Sequence, residues 1–275
     1  MTTTTGRFAR RVGGLAFGSA LLLSAAAASA ATITNTDGSF SPFGGFDWSP
    51  AGNVVTQGNI VNGGTVTSVF WANAVHIQDT NNQPFATPGL DPTGSSYEYT
   101  AYATITETVS CAGNIGDPCG NSANFTATGG TWTVYYDTSP NANLVTGAGI
   151  TDGTPIIAGN VDSGGGTFFL FGTGGIGGFN YQGLVTFTDN MFVNPSLLGS
   201  TASATLQFGS STTSWTAPTS QPAAGGGTTG LPNPSLAFQA DGNQSFTVAS
   251  VPEPGTLALL AAAILGVGFV RRRSK

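Results

Sequence analysis

The sequence predicts an all-β protein: a single antiparallel domain of β-sandwich or jelly-roll-like build, preceded by a signal peptide and followed by a short transmembrane helix. Three observations carry that expectation. Apolar and hydroxyl-bearing residues alternate with period two along much of 31–250, as strands with one buried face require. Glycine- and proline-rich joints separate these runs. No stretch of 31–250 shows the apolar stripe of an amphipathic helix. Many short strands between such turns are the pattern of antiparallel all-β architectures.

The first element is N-terminal. Arg7, Arg10 and Arg11 form a positive region, Val12 to Ala27 is mostly apolar, and Ala28-Ser29-Ala30 is a small-residue cleavage site. Residues 1–30 therefore read as a secretory signal peptide, and 31–250 as the exported domain. Within that domain the clearest strand signal is 97–109. Tyr97, Tyr99, Ala101, Ala103, Ile105 and Val109 share one face, interrupted by Glu107, and Thr100, Thr104, Thr106 and Thr108 lie opposite. Residues 124–128 and 131–136 resume the pattern after a loop, so the two stretches are expected to be neighbouring strands. Further strands are expected at 54–61, 65–77, 167–171, 181–188, 201–208 and 236–248. The joints between strands are Asn62-Gly63-Gly64, Gly164-Gly165-Gly166 and the glycine-rich 174–178. Residues 216–234, rich in Pro, Gly, Thr and Ala, read as a flexible loop or linker, and the segment beyond them, 235–248, reads as a strand pair that packs back onto the domain.

Cys111 and Cys119 are the only cysteines. An even pair so close together in an exported chain reads as a disulfide closing a small loop. The spacing rules out a redox C-x-x-C motif, and His76, the sole histidine, is too little to complete a metal site with them.

All seven basic residues fall outside the domain: Arg7, Arg10 and Arg11 at one end, Arg271, Arg272, Arg273 and Lys275 at the other. Residues 31–250 keep 12 of the 13 acidic residues, since only Glu253 lies beyond them. A domain without lysine or arginine has no means of neutralising phosphates, which excludes nucleic acid as a partner. A polyanionic partner would need bridging divalent cations.

The last element is 251–275. Pro252-Glu253-Pro254-Gly255 is a rigid turn in which the prolines fix φ and remove amide donors. An uncharged run of 15 residues follows, Thr256 to Val270, and then the cluster Arg271, Arg272, Arg273. As a helix the run spans about 22 Å, short of the ~30 Å hydrocarbon core, and its basic end belongs on the cytoplasmic side. Triplet, apolar helix and arginine cluster in this order resemble the PEP-CTERM sorting signal of exported bacterial proteins. The resemblance implies processing near the triplet by an exosortase. It also implies transient anchoring in the inner membrane through the C-terminal helix, then transfer to the cell surface or extracellular matrix. Phe238-Gln239-Ala240-Asp241-Gly242-Asn243-Gln244-Ser245-Phe246, the segment Gly130 to Asp137, and Phe46-Asp47-Trp48 are also similar to flocculation-associated PEP-CTERM proteins. That narrower resemblance implies a non-enzymatic role in an exopolysaccharide matrix, in cell aggregation or floc formation, and it supplies no catalytic residues.

The residues themselves offer little chemistry. There is no G-x-S-x-G elbow, P-loop, dinucleotide fingerprint or zinc signature. Glu98 and Glu107, the only glutamates of the domain, are nine positions apart and so on opposite faces of one strand, which argues against a glycosidase pair. Calcium is the one cofactor left open. Asp137, Ser139, Asn141 and Asn143 present oxygen side chains at alternate positions, a set that reads either as calcium ligands or as a turn of Asx caps. Trp48, Trp71, Trp132 and Trp215 read as core residues or as a stacking platform for sugar rings, the basis of an alternative carbohydrate-binding function. A matrix-acting hydrolase ranks last.

Overall fold

The computed structural model describes residues 30–92, 94–171, 174–209 and 215–247, and these hold fourteen strands. In chain order they are β1 (Thr32–Asn35), β2 (Gly38–Phe40), β3 (Phe43–Gln57), β4 (Thr65–Asp79), β5 (Glu98–Ser110), β6 (Ser122–Asp137) and β7 (Thr154–Asn160). There follow β8 (Ser163–Phe171), β9 (Gly174–Thr188), β10 (Val193–Asn194), β11 (Thr201–Phe208), β12 (Ser220–Pro222), β13 (Thr228–Gly230) and β14 (Ser235–Thr247). The signal-peptide expectation and the whole C-terminal segment lie outside the described residues. Among the described residues no helix is long and apolar enough to cross a membrane.

The large sheet is a meander that closes. β3, β4, β5 and β6 pair in succession, all antiparallel. β7 and β8 share the next position: β8 pairs with the first part of β6 and β7 with the last. β9 pairs with both, β11 with β9, and β14 with β11. β14 then pairs with β3, from Ser235↔Gln57 to Ser245↔Gly45. This last ladder makes an eight-position barrel, so the all-β expectation stands while the two-sheet sandwich does not. The alternation of inward and outward residues is the same in both architectures. What decides is the pairing of first strand with last, which removes both sheet edges.

The inward face of β5 runs Tyr99, Ala101, Ala103, Ile105, Glu107, Val109, all buried. β5 and β6 are neighbours across the cysteine loop, as expected, and the two stretches after that loop form one strand. The glycine runs at 164–166 and 174–178, expected as joints, lie inside β8 and β9. A Cβ at Gly164, Gly165 or Gly166 would collide with the backbone oxygen of Asn180, Phe125 or Gly178. Glycine is therefore required there by close strand approach rather than by a turn.

The two ends differ. At one, the small sheet β10–β1–β2 forms a plug whose Ala31, Ile33 and Val193 are fully buried. Asn35 Nδ2 donates to the Tyr99 hydroxyl, and the Thr36 amide donates to the Tyr136 hydroxyl. At the other end lie two loops, 58–64 and 111–121, joined by the Val61–Pro118 bridge and by the Cys119 amide to the Ile60 carbonyl. Outside the barrel, the loop 138–153 folds back over β3, β4 and β5 and covers Val55, Val69 and Trp71. Residues 216–234, expected as a flexible linker, instead contain the β12–β13 hairpin. The hairpin is tied to that loop because Thr151 Oγ1 donates to the Ala223 carbonyl and Ser220 Oγ to the Thr146 carbonyl.

Candidate functional site

One level of the barrel interior is polar. Thr56 on β3, Ser68 on β4, Glu107 on β5 and Tyr181 on β9 all point inward and are buried. Thr56 and Ser68 are direct cross-strand partners, with their hydroxyls 3.1 Å apart. Ser68 Oγ donates to Glu107 Oε2 at 2.7 Å, and the Tyr181 hydroxyl donates to Oε1 at 2.9 Å. Burial pushes the Glu107 carboxyl above its ordinary range despite these two donors. Burial, and then the neighbouring Glu107, push the Tyr181 hydroxyl up as well.

Phenylalanines enclose the cluster: Phe179 stacks on Phe208 at 4.4 Å, Phe168 lies 4.5 Å from Phe238, and Phe125 lies 5.6 Å from Phe179. Toward the disulfide loop is a cavity of about 190 Å³. Ala123, Phe125 and Phe168 form its buried wall, Ile60 and Cys119 its sides, and Gly120, Ser122 and Leu236 its exposed rim. The disulfide Cys111–Cys119 is present, and it holds the loop that frames this cavity.

The cluster is not a Ser-His-Asp triad. Ser68 has a carboxyl beside it but no imidazole, because His76 is on the outer surface with Nδ1 3.1 Å from Asp47 Oδ2. Glu98 and Glu107 sit on opposite faces of β5, about 30 Å apart along the strand. That separation is well beyond the roughly 5–9.5 Å between glycosidase carboxylates.

Glu98 has a role the alternation did not reveal. It is buried although it faces outward, because the loop 138–153 covers it. Its Oε1 accepts the amides of Asn141 at 2.8 Å and Ala142 at 3.1 Å. Burial raises its carboxyl to about 7, with Asp91 and Asp137 adding to the rise and the two amides opposing it. Local pattern misses this role because the residues that cover Glu98, Asn141 and Ala142, come more than 40 positions later in the chain.

The oxygen set at 137–143 is engaged in turns. Asp137 Oδ1 accepts the Ser139 amide, and Asn143 Oδ1 accepts those of Val145 and Thr146. The Asn141 side-chain amide donates to Asp152. Among the described residues no group of three His, Cys, Asp or Glu side chains is placed to hold a metal.

The four tryptophans form no single platform, although Trp48 and Trp132 line one pocket of the barrel interior. Trp48 is inside the barrel and Trp71 lies under the loop 138–153. The indole nitrogens of Trp71, Trp132 and Trp215 donate to Leu144, Asn160 and Asn53.

Pro252, Glu253, Pro254, Arg271, Arg272 and Arg273 lie outside the described residues. Residues 250–273 match the family model of the PEP-CTERM protein-sorting motif. No curated protein and no solved structure matches the chain.

Proposed function

Residues 250–273 make this chain a PEP-CTERM sorting-domain protein, and from that premise we propose that its barrel is a non-enzymatic component of an exopolysaccharide matrix that promotes cell aggregation or floc formation. The sorting motif is the observation that carries the reading: it implies export, membrane-anchored transit and exosortase processing. Two features of the domain support the rest. The barrel wall presents uncharged hydroxyls and amides, among them Thr108, Asn124, Thr126, Asn180 and Thr205, with hydrogen bonds from Thr167 to Asn124 and from Thr205 to Asn180. A neutral polar wall without lysine or arginine suits contact with hydrated polysaccharide. The domain's two glutamates also face opposite ways on β5, so they do not pair with each other for glycoside cleavage.

The test is a deletion strain. Cell aggregation should fall while polysaccharide synthesis continues, and unchanged aggregation would refute the proposal. Direct carbohydrate binding is the second reading, favoured by that same wall. It would act through hydroxyls and amides rather than through the tryptophans. Pull-down of the exported protein on the purified polysaccharide separates it from a passive role.

A further inference from the structure

We propose that the disulfide-side end of the barrel binds a small, uncharged, single-ring aromatic molecule in the cavity framed by Ile60, Cys119, Ala123, Phe125, Phe168 and Leu236. The size fits. An apolar cavity of about 150 Å³ is enough to take benzene, and this one is about 190 Å³. The wall chemistry fits as well, since Phe125 and Phe168 present rings, and Ile60, Ala123 and Leu236 supply aliphatic surface. No charged side chain lines it.

Access is built in. Gly120, Ser122 and Leu236 at the rim are exposed, whereas Ala123, Phe125 and Phe168 are buried, so the cavity runs inward from solvent. Its frame is fixed by the disulfide and by the Cys119 amide bonded to the Ile60 carbonyl. The space is therefore held open by covalent and backbone bonds, rather than by side chains that would collapse into it.

The selection against charge comes from behind the wall. Ile60, Phe125 and Phe168 also border the void that contains Glu107, Ser68 and Thr56. An anion in the cavity would face a carboxyl through one layer of side chains, in a domain with no lysine or arginine to pair with it. A cation would leave water for an apolar wall that it could not reach through, since the Glu107 carboxyl behind it is already met by the Ser68 and Tyr181 hydroxyls.

The test uses the exported, processed protein and three probes: toluene, benzoate and benzylamine. Toluene should bind saturably at one site by calorimetry and raise Tm, while benzoate and benzylamine at equal concentration should bind at least tenfold more weakly. Leu236→Trp, at a rim position that tolerates bulk, and Ala123→Phe, which fills the inner wall, should each weaken toluene binding at least tenfold. If Ala123→Phe fails to fold, the rim variant alone decides. Absence of saturable toluene binding, equal binding of either ion, or full affinity in the folded rim variant would each overturn the proposal.

Discussion

Strand β5 carries a buried glutamate near each end, and the two are buried by opposite means. Glu98, near the plug, faces outward and is covered by a loop that donates backbone amides to it. Glu107, near the disulfide, faces inward and is met by the hydroxyls of Ser68 and Tyr181. The ends around them differ in filling. At the plug, Phe43, Phe46, Trp48, Tyr97, Tyr99 and Tyr136 form a chain of ring contacts 5.1–5.8 Å apart, closed over by Phe192. At the disulfide end a cavity of about 190 Å³ remains beside the phenylalanines. One end thus serves stability and the other leaves room. Which glutamate meets backbone and which meets side chains follows from what closes each end.

The strongest test of this contrast removes a ring from each end. Phe46→Ala should cost about 3–5 kcal/mol, because Phe46 is fully buried against three rings, those of Phe43, Trp48 and Tyr99. Phe168→Ala should cost about 1 kcal/mol less or better, since it enlarges a space already open to solvent. Urea unfolding of both variants measures the difference, and equal costs would erase the distinction between the ends.

Next in size is the disulfide. Replacing Cys111 and Cys119 together by serine should cost about 2–3 kcal/mol, the loop-closure value for a ring this small. The loss should be specific to the open end. Hydrogen exchange should rise at the Cys119 and Asn62 amides, which bond to Ile60 and Asp117, and stay unchanged at the Thr36 amide in the plug. Faster exchange at both ends would mean that the loop supports the whole barrel.

Much of this fold was readable from local pattern, and the limits have physical causes. The face 97–109 was legible down to its odd member, Glu107, because a strand's period is two whatever sheet it joins. Closure was not legible, since the β3–β14 ladder joins residues about 190 positions apart and leaves no mark on either strand. Glycine misled at 164–166, where it marks close packing within a strand rather than a break. The burial of Glu98 and Trp71 was hidden for a related reason. Alternation assigns outward residues to solvent, and here the loop 138–153 takes the place of solvent. The disulfide needed only export and spacing, whereas the cavity beside it needed the strands in place.

Glu98 offers a third test, of middle size. Glu98→Ala leaves the Asn141 and Ala142 amides without their acceptor and should cost about 1–3 kcal/mol. The pH dependence has a definite sign. With the folded carboxyl raised to about 7 from 4.5, the native state keeps a proton that the unfolded chain has lost between those values. Stability from this group is therefore full below about 4.5, falls as pH rises toward 7, and is level above. Glu107 adds a slope of the same sign. Glu98→Gln should flatten the curve in part, leaving the contribution of Glu107. An unchanged curve would place Glu98 in water rather than under its loop.

The smallest expected effect concerns the covering loop itself. If Asp137, Asn141 and Asn143 serve the turns of 137–146, Asp137 Oδ1 is already engaged by the Ser139 amide and Asn143 Oδ1 by those of Val145 and Thr146, while Asn141 turns its side-chain amide to Asp152. A calcium ion would have to displace those bonds, and bound calcium takes 6–8 oxygen ligands. Millimolar calcium should then raise Tm no further than sodium at equal ionic strength. A specific calcium shift would reassign the loop from a hydrogen-bonded cover to an ion-held one. It would also lower the carboxyl of Glu98, whose neighbour Asp137 would no longer present an uncompensated charge. Repeating the pH titration of stability with calcium present reads both consequences: on the Asx-turn reading the window between about 4.5 and 7 does not move.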